Sequence, residues 1–264
     1  MAGAAGRESW LVRRLRPTYA ALLDLGGRGV EWEINGERFR VDPRYRHRLG
    51  HSYDAPAARF IRERVRPGAV CVDVGANVGV YVLQFARWSG PAGRVVAFEP
   101  NPEARRVLAR HVGLNGFAER VEVIEAAVGD ARGEATLYAA GVEGMSRLGA
   151  PNALLKARAR PLRVPVVTLD DFCRARDLRP DWLFIDIEGF ELSALAGARR
   201  LVRERGAALH LVVEMHPNVW DTAGATRDTA AALLDELGLR PVPLTGQRDP
   251  LGEHGLVYLE TNAE

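Results

Sequence analysis

Residues Val70 to Gly79 read Val-Cys-Val-Asp-Val-Gly-Ala-Asn-Val-Gly, an apolar run that breaks into small residues just before a helical pattern begins. The β-branched Val70, Val72 and Val74, set around the small Cys71, suit a strand covered on both faces in a parallel sheet. Gly75 and Gly79 let the backbone turn tightly and approach a partner with no side chain in the way. Asn77 tolerates the same bend. From Val80 to Trp88 the apolar positions fit a helix whose amino end faces that turn. Such a strand, turn and helix belong to an open α/β sheet, in which ligands sit at the carboxyl ends of the strands.

The glycines are spaced Gly-x-x-x-Gly, not in the Gly-x-Gly-x-x-Gly pattern that cradles a dinucleotide pyrophosphate. The loop therefore suits a nucleoside with an amino-acid tail better than a nicotinamide dinucleotide. A second short apolar run, Val95 to Phe98, ends in Glu99-Pro100-Asn101-Pro102, and Glu99 stands 99 − 79 = 20 residues beyond Gly79. One carboxylate at that separation accepts from both hydroxyls of a ribose. Pro100 and Pro102 stop the strand and start the next helix.

Five motifs stand in order along the chain: Asp73-Val-Gly-Ala-Asn-Val-Gly79, Phe98-Glu-Pro100, Ala127-Val-Gly129, Asp186-Ile-Glu-Gly-Phe-Glu191 and Glu214-Met-His-Pro217. In order and spacing the stretch from about Tyr53 to Pro217 resembles the FkbM family of class I S-adenosylmethionine-dependent methyltransferases. The resemblance implies an α/β fold, a doubly wound, mostly parallel seven-stranded Rossmann-like methyltransferase sheet. It also implies S-adenosylmethionine as cofactor and O-methylation of a hydroxyl on a sugar, polyketide or other secondary metabolite. The cofactor positions it marks are Asp73, Gly75, Ala76, Asn77, Gly79, Glu99, Pro100 and Asp186. His51, Tyr53 and Asp54 stand where the family approaches the methionine end. Ala127 and Val128 suit contact with the adenine through backbone groups and a packed side chain, and Asp130 suits either the exocyclic amine or a turn.

With 264 residues, 47% hydrophobic and 27% charged, the chain has ample material for one large α/β domain. A net charge of +2 gives no reason to expect nucleic-acid binding. No apolar run approaches the roughly 20 residues of a membrane span, and Met1 to Arg16 lacks the apolar core of a secretion signal. Cys71 and Cys173 have no metal-ligand spacing and read as reduced packing residues of a cytoplasmic protein. Residues 1–50 form an N-terminal cap ahead of a methyltransferase domain over 51–264. The cap comprises an amphipathic helix over 8–26 and a hairpin over 30–41 turned at Asn35-Gly36, and it suits either a lid or a homodimer contact.

Further along, helices are expected over 56–65, 102–112, 191–205 and 225–237. Strands are expected over 121–124, 134–138, 163–167, 182–185, 208–213, 240–244 and 256–259. Ser52 or Asp54 is placed to cap the first of these helices. Thr168 caps another, with Asp170 and Asp171 read as structural acids at its amino end. Residues 139–161 read as a long loop with Ser146 at the acceptor side.

Asp186 and Glu188 lie two apart at the end of one strand, and Glu214 and His216 at the end of the next, so the four are the candidate catalytic groups. Methyl transfer is an in-line displacement dominated by alignment, and an alcohol acceptor must also lose a proton, which His216 or Glu188 can take. Asp186 would face the amino-acid end of the cofactor. Relatives often carry Lys at the position of Phe184, so no lysine acts there. A divalent-metal-assisted variant, with Asp186, Glu188 and His216 as ligands, is a second reading. A nicotinamide-dependent oxidoreductase and a non-catalytic binding module are the remaining ones, and no metal is expected in the leading reading.

Overall fold

The computed structural model describes residues 18–20, 22–139, 147–148 and 159–261. Most of the helix expected over 8–26, and Ser146, lie outside them. Strands β1 (Val30–Ile34) and β2 (Glu37–Val41) pair antiparallel as the expected hairpin. Asn35 and Gly36 turn it with φ of 51° and 81°, the left-handed pair that a two-residue loop demands. Ile34, Phe39 and Val41 are buried in the same core as Val82 and Phe85, so the hairpin is built into the main body.

After helix α1 (Ala55–Arg62) the chain alternates strand and helix: β3 (Val70–Val74), α2 (Val80–Trp88), β4 (Arg94–Phe98), α3 (Pro102–Leu114) and β5 (Val121–Ile124). Four strands follow, β6 (Ala127–Val128), β7 (Gly133–Ala139), β8 (Arg147–Leu148) and β9 (Arg160–Val167). Next come α4 (Leu169–Ala175), β10 (Trp182–Ile185), α5 (Glu191–Ala196), α6 (Arg199–Arg205), β11 (His210–Met215), α7 (Arg227–Glu236), β12 (Leu239–Pro243) and β13 (Gly255–Thr261).

The main sheet has the order β12-β13-β11-β10-β3-β4-β5, and β13 alone runs antiparallel to its neighbours. The doubly wound, mostly parallel seven-stranded sheet expected from the sequence is therefore present. Each central strand feeds two cores with period two: Val72, Val74, Leu183 and Ile185 enter one, and Cys71, Trp182 and Phe184 the other. Because β3 and β10 are the inner pair, their ends come together at the middle of the sheet.

Three features depart from the sequence reading. First, β6, β9, β7 and β8 form a separate four-stranded sheet, which local alternation over 134–138 and 163–167 had suggested only as isolated strands. Second, the helix expected over 191–205 breaks at Gly197, where a Cβ would stand 2.0 Å from the Gly129 carbonyl oxygen. Asp170 does not cap its own helix; its carboxylate accepts from Arg200 N at 2.9 Å and Leu201 N at 2.8 Å, closing the amino end of α6. Third, Asp54 precedes α1 with φ 45° and no side-chain cap, and Ser52 is exposed, so neither caps that helix.

Candidate active site

At the carboxyl ends of β3, β4, β10 and β11 lies a cavity of about 460 Å³, large enough for a nucleoside with a tail. Gly75 makes it possible. With φ 89° it turns the chain out of β3, and a Cβ there would fall 1.9 Å from the Asp186 carbonyl oxygen. The amides of Gly75 and Ala76 both donate to Phe98 O at 3.0 Å, tying the turn to β4.

Glu99 closes the next tip. Its Oε2 accepts from Asn77 N at 2.7 Å and its Oε1 from Asn101 N at 2.8 Å, so both oxygens are aimed and each keeps a lone pair for a ligand hydroxyl. Burial pushes this carboxyl up to about 7, against the two amide bonds that favour the charge. Asn77, at φ 46°, leaves its Oδ1 unpartnered among the described residues. Asp73, 2% exposed, is raised well above the carboxylate range by burial, then by the charges of Asp186 and Glu99. Such a concentration of buried acid is satisfied by a cation or by a proton.

Of the predicted cofactor residues, Tyr53, Asp73, Gly75, Ala76, Asn77, Glu99, Pro100, Ala127, Val128 and Asp186 line this cavity. Two do not. The His51 ring is stacked on Trp32 with centroids 4.3 Å apart, outside the lining. Gly79 caps α2 at φ 93°, where a Cβ would meet Leu108 at 2.4 Å, so its smallness serves the packing of α3. Asp130 is also outside, exchanging hydrogen bonds with Ser193 at 3.1 and 3.0 Å.

Asp186, Glu188, Glu214 and His216 all line the other end of the cavity. His216 donates from Nδ1 to Glu191, whose side chain is fully buried. Glu191 is itself fixed: it accepts from Gly189 N at 2.9 Å and from Trp220 Nε1 at 3.0 Å. The ring is thus pinned in one tautomer with Nε2 4.0 Å from Asp186. Burial works against the His216 imidazolium, but the Glu191 bond and the charges of Glu191, Asp186 and Glu188 outweigh it and raise the pKa. Asp186 is raised by burial and then by Glu214; Glu214 is pushed up to about 7, chiefly by burial.

Two residues of this end escaped the sequence reading. Glu191 sits in a noted motif, but nothing local says that its carboxylate turns back to a histidine 25 residues on. His254 Nε2 lies 2.9 Å from Glu214 Oε1. It arrives through the pairing of β13 with β11, which sets Glu214 opposite Leu256. Glu214, His216 and His254 each offer a ligand atom within 4.8 Å of the others, the one such group among the described residues. Asp186, Glu188 and His216, the set expected for a metal, do not form it.

A sequence model described as the methyltransferase FkbM domain matches residues 73–240. A ribosomal protein L11 methyltransferase from Pelotomaculum thermopropionicum is 39% identical over 75 residues, 28% of this chain and 24% of its own length. The AMB antimetabolite synthetase AmbE of Pseudomonas aeruginosa is 31% identical over 225 residues, covering 71% of this chain and 10% of the synthetase. The chain thus spans a quarter or less of these two relatives. Methyltransferase sdnD of Sordaria araneosa is 29% identical over 198 residues, 63% of this chain and 72% of its own. Among solved structures, a proposed rRNA methylase from Clostridium thermocellum superposes with TM-score 0.50 at 13% identity, over 79% of this chain and 94% of its own. An FkbM methyltransferase from Methylobacillus flagellatus gives 0.47 at 17% identity, over 94% and 59%.

Proposed function

The chain belongs to the FkbM methyltransferase family and has the fold of the S-adenosylmethionine-dependent methyltransferases, and we propose that it transfers a methyl group from that cofactor to a hydroxyl of a small molecule. The acceptor class is a sugar, polyketide or other secondary metabolite. The observation that carries this reading is Glu99, held at the β4 tip by two backbone amides and lining the cavity. A ribose diol is the partner such a carboxylate fits.

S-adenosylmethionine supplies an electrophilic methyl on a sulfonium; the work left to the protein is alignment and removal of a proton. Gly75, Ala76 and Asn77 give the nucleoside room, Pro100, Ala127 and Val128 flank the adenine, and Asp73 and Asp186 face the cationic tail. At the acceptor end His216 takes the hydroxyl proton at Nε2, with Glu191 holding the ring and stabilising the imidazolium that forms. Glu188 and Glu214 orient the acceptor. The buried thiols Cys71 and Cys173 support a reducing compartment such as the cytoplasm, and no helix among the described residues is long and apolar enough to cross a membrane.

A metal-assisted second reading is favoured by one observation, the group Glu214, His216 and His254 with Glu191 behind His216, because metal-bound histidines commonly lean on a carboxylate. The test of both is transfer of a radiolabelled methyl group to a panel of hydroxylated metabolites with and without a chelator. Label in a hydroxyl product supports O-methylation, loss of that label with chelator assigns it to the metal-assisted form, and label in amines alone contradicts it.

A further inference from the structure

Tyr81, on the first turn of α2, lines the cavity and is 5% exposed, yet its hydroxyl has no hydrogen-bond partner among the described residues. Its direction is fixed by packing. The ring lies against Phe184 with centroids 3.9 Å apart and meets Tyr53 edge-on at 6.1 Å. A buried hydroxyl with nothing to bond to is costly and uncommon, and at a ligand cavity it points to a group that arrives with the ligand. The carboxylates bearing on this hydroxyl are Asp54, Glu214 and Asp186, and the last two line the catalytic end of the cavity.

At that end the tail of the proposed cofactor brings an ammonium and a carboxylate. When ionised beside the ammonium, Asp73 and Asp186 would repel the carboxylate, which needs an uncharged or cationic donor. Arg48 also lines the cavity but already has a partner within the protein. Burial holds the Tyr81 hydroxyl well above its ordinary pKa, so it stays a donor.

We infer that the Tyr81 hydroxyl donates a hydrogen bond to the α-carboxylate of the cofactor's methionine moiety, an assignment that rests on the S-adenosylmethionine reading above. The test is a calorimetric cycle of wild type and Tyr81→Phe against S-adenosylhomocysteine and its decarboxylated analogue, which keeps the ammonium. In the wild type, S-adenosylhomocysteine should bind roughly tenfold or more tightly than the analogue. In Tyr81→Phe that preference should collapse through loss of S-adenosylhomocysteine affinity alone, with no fall in the unfolding temperature of the ligand-free protein. A preference that survives the substitution, or equal weakening of both ligands, overturns the assignment while leaving the cofactor reading intact. A wild type that binds neither nucleoside overturns both.

Discussion

Asn35, at the tip of the N-terminal hairpin, brackets Tyr53 at the mouth of the cavity: its Nδ2 donates to Tyr53 O at 2.8 Å and its Oδ1 accepts from Tyr53 N at 2.9 Å. The same amide donates to Gln84 on α2 at 2.8 Å. One side chain therefore joins the hairpin, the segment before α1 and the helix behind the glycine turn. Asn35→Gly keeps a residue at ease with φ 51° but removes the bracket. Chemical denaturation should register a loss of about 1–3 kcal/mol, and an unchanged midpoint would mean that the bracket is ornamental.

Gly75 and Gly68 are both left-handed, at φ 89° and 85°, but only Gly75 has a neighbour in the path of a side chain. Gly68→Ala should cost about 1 kcal/mol of strain. Gly75→Ala, which must also push β3 away from the Asp186 carbonyl, should cost about 3 kcal/mol or more. Thermal unfolding of the pair checks the difference, and equal losses would show that the β3 and β10 tips are not in contact as described.

Glu99 must be ionised to accept from both ribose hydroxyls, and burial has pushed its pKa up to about 7. As pH falls through that value the protonated fraction of the free protein rises and cofactor affinity should drop. Glu99→Gln should weaken S-adenosylhomocysteine roughly 10- to 100-fold and remove this pH dependence, both readable by calorimetry between pH 6 and 8.

On the proposed mechanism His216 is the base and must be neutral, so the rate should rise with pH through a pKa above the ordinary imidazole value, where Glu191, Asp186 and Glu188 hold it. Glu191→Gln removes the largest contribution favouring the imidazolium. The acid limb of the pH–rate profile should then move to lower pH, while the plateau falls roughly 10- to 100-fold with cofactor binding unchanged. An acid limb that stays in place would take Glu191 out of this role.

Much of this was legible in the sequence because it depends on local chemistry. Val70 to Gly79 carries its own strand, turn and helix signals, and the ends of β3 (Val70–Val74) and α2 (Val80–Trp88) fall where those signals place them. What was not legible depends on register and on close approach. His254 reaches Glu214 only because β13 inserts antiparallel beside β11, and no pattern around Gly255 states that pairing. The break falls at Gly197, where the Gly129 carbonyl of a distant loop leaves no room for a Cβ, a close approach that one glycine in an otherwise helical run does not announce. His51 lay near enough to Tyr53 in the chain to share its expected role, but it is spent on Trp32.

The most direct test is a crystal structure of the protein with S-adenosylhomocysteine. The ribose hydroxyls should lie within hydrogen-bond distance of the two Glu99 carboxylate oxygens, the adenine against Val128, and the sulfur toward Asp186 and His216. A nucleoside seated elsewhere, or a ribose that leaves Glu99 untouched, would contradict the account.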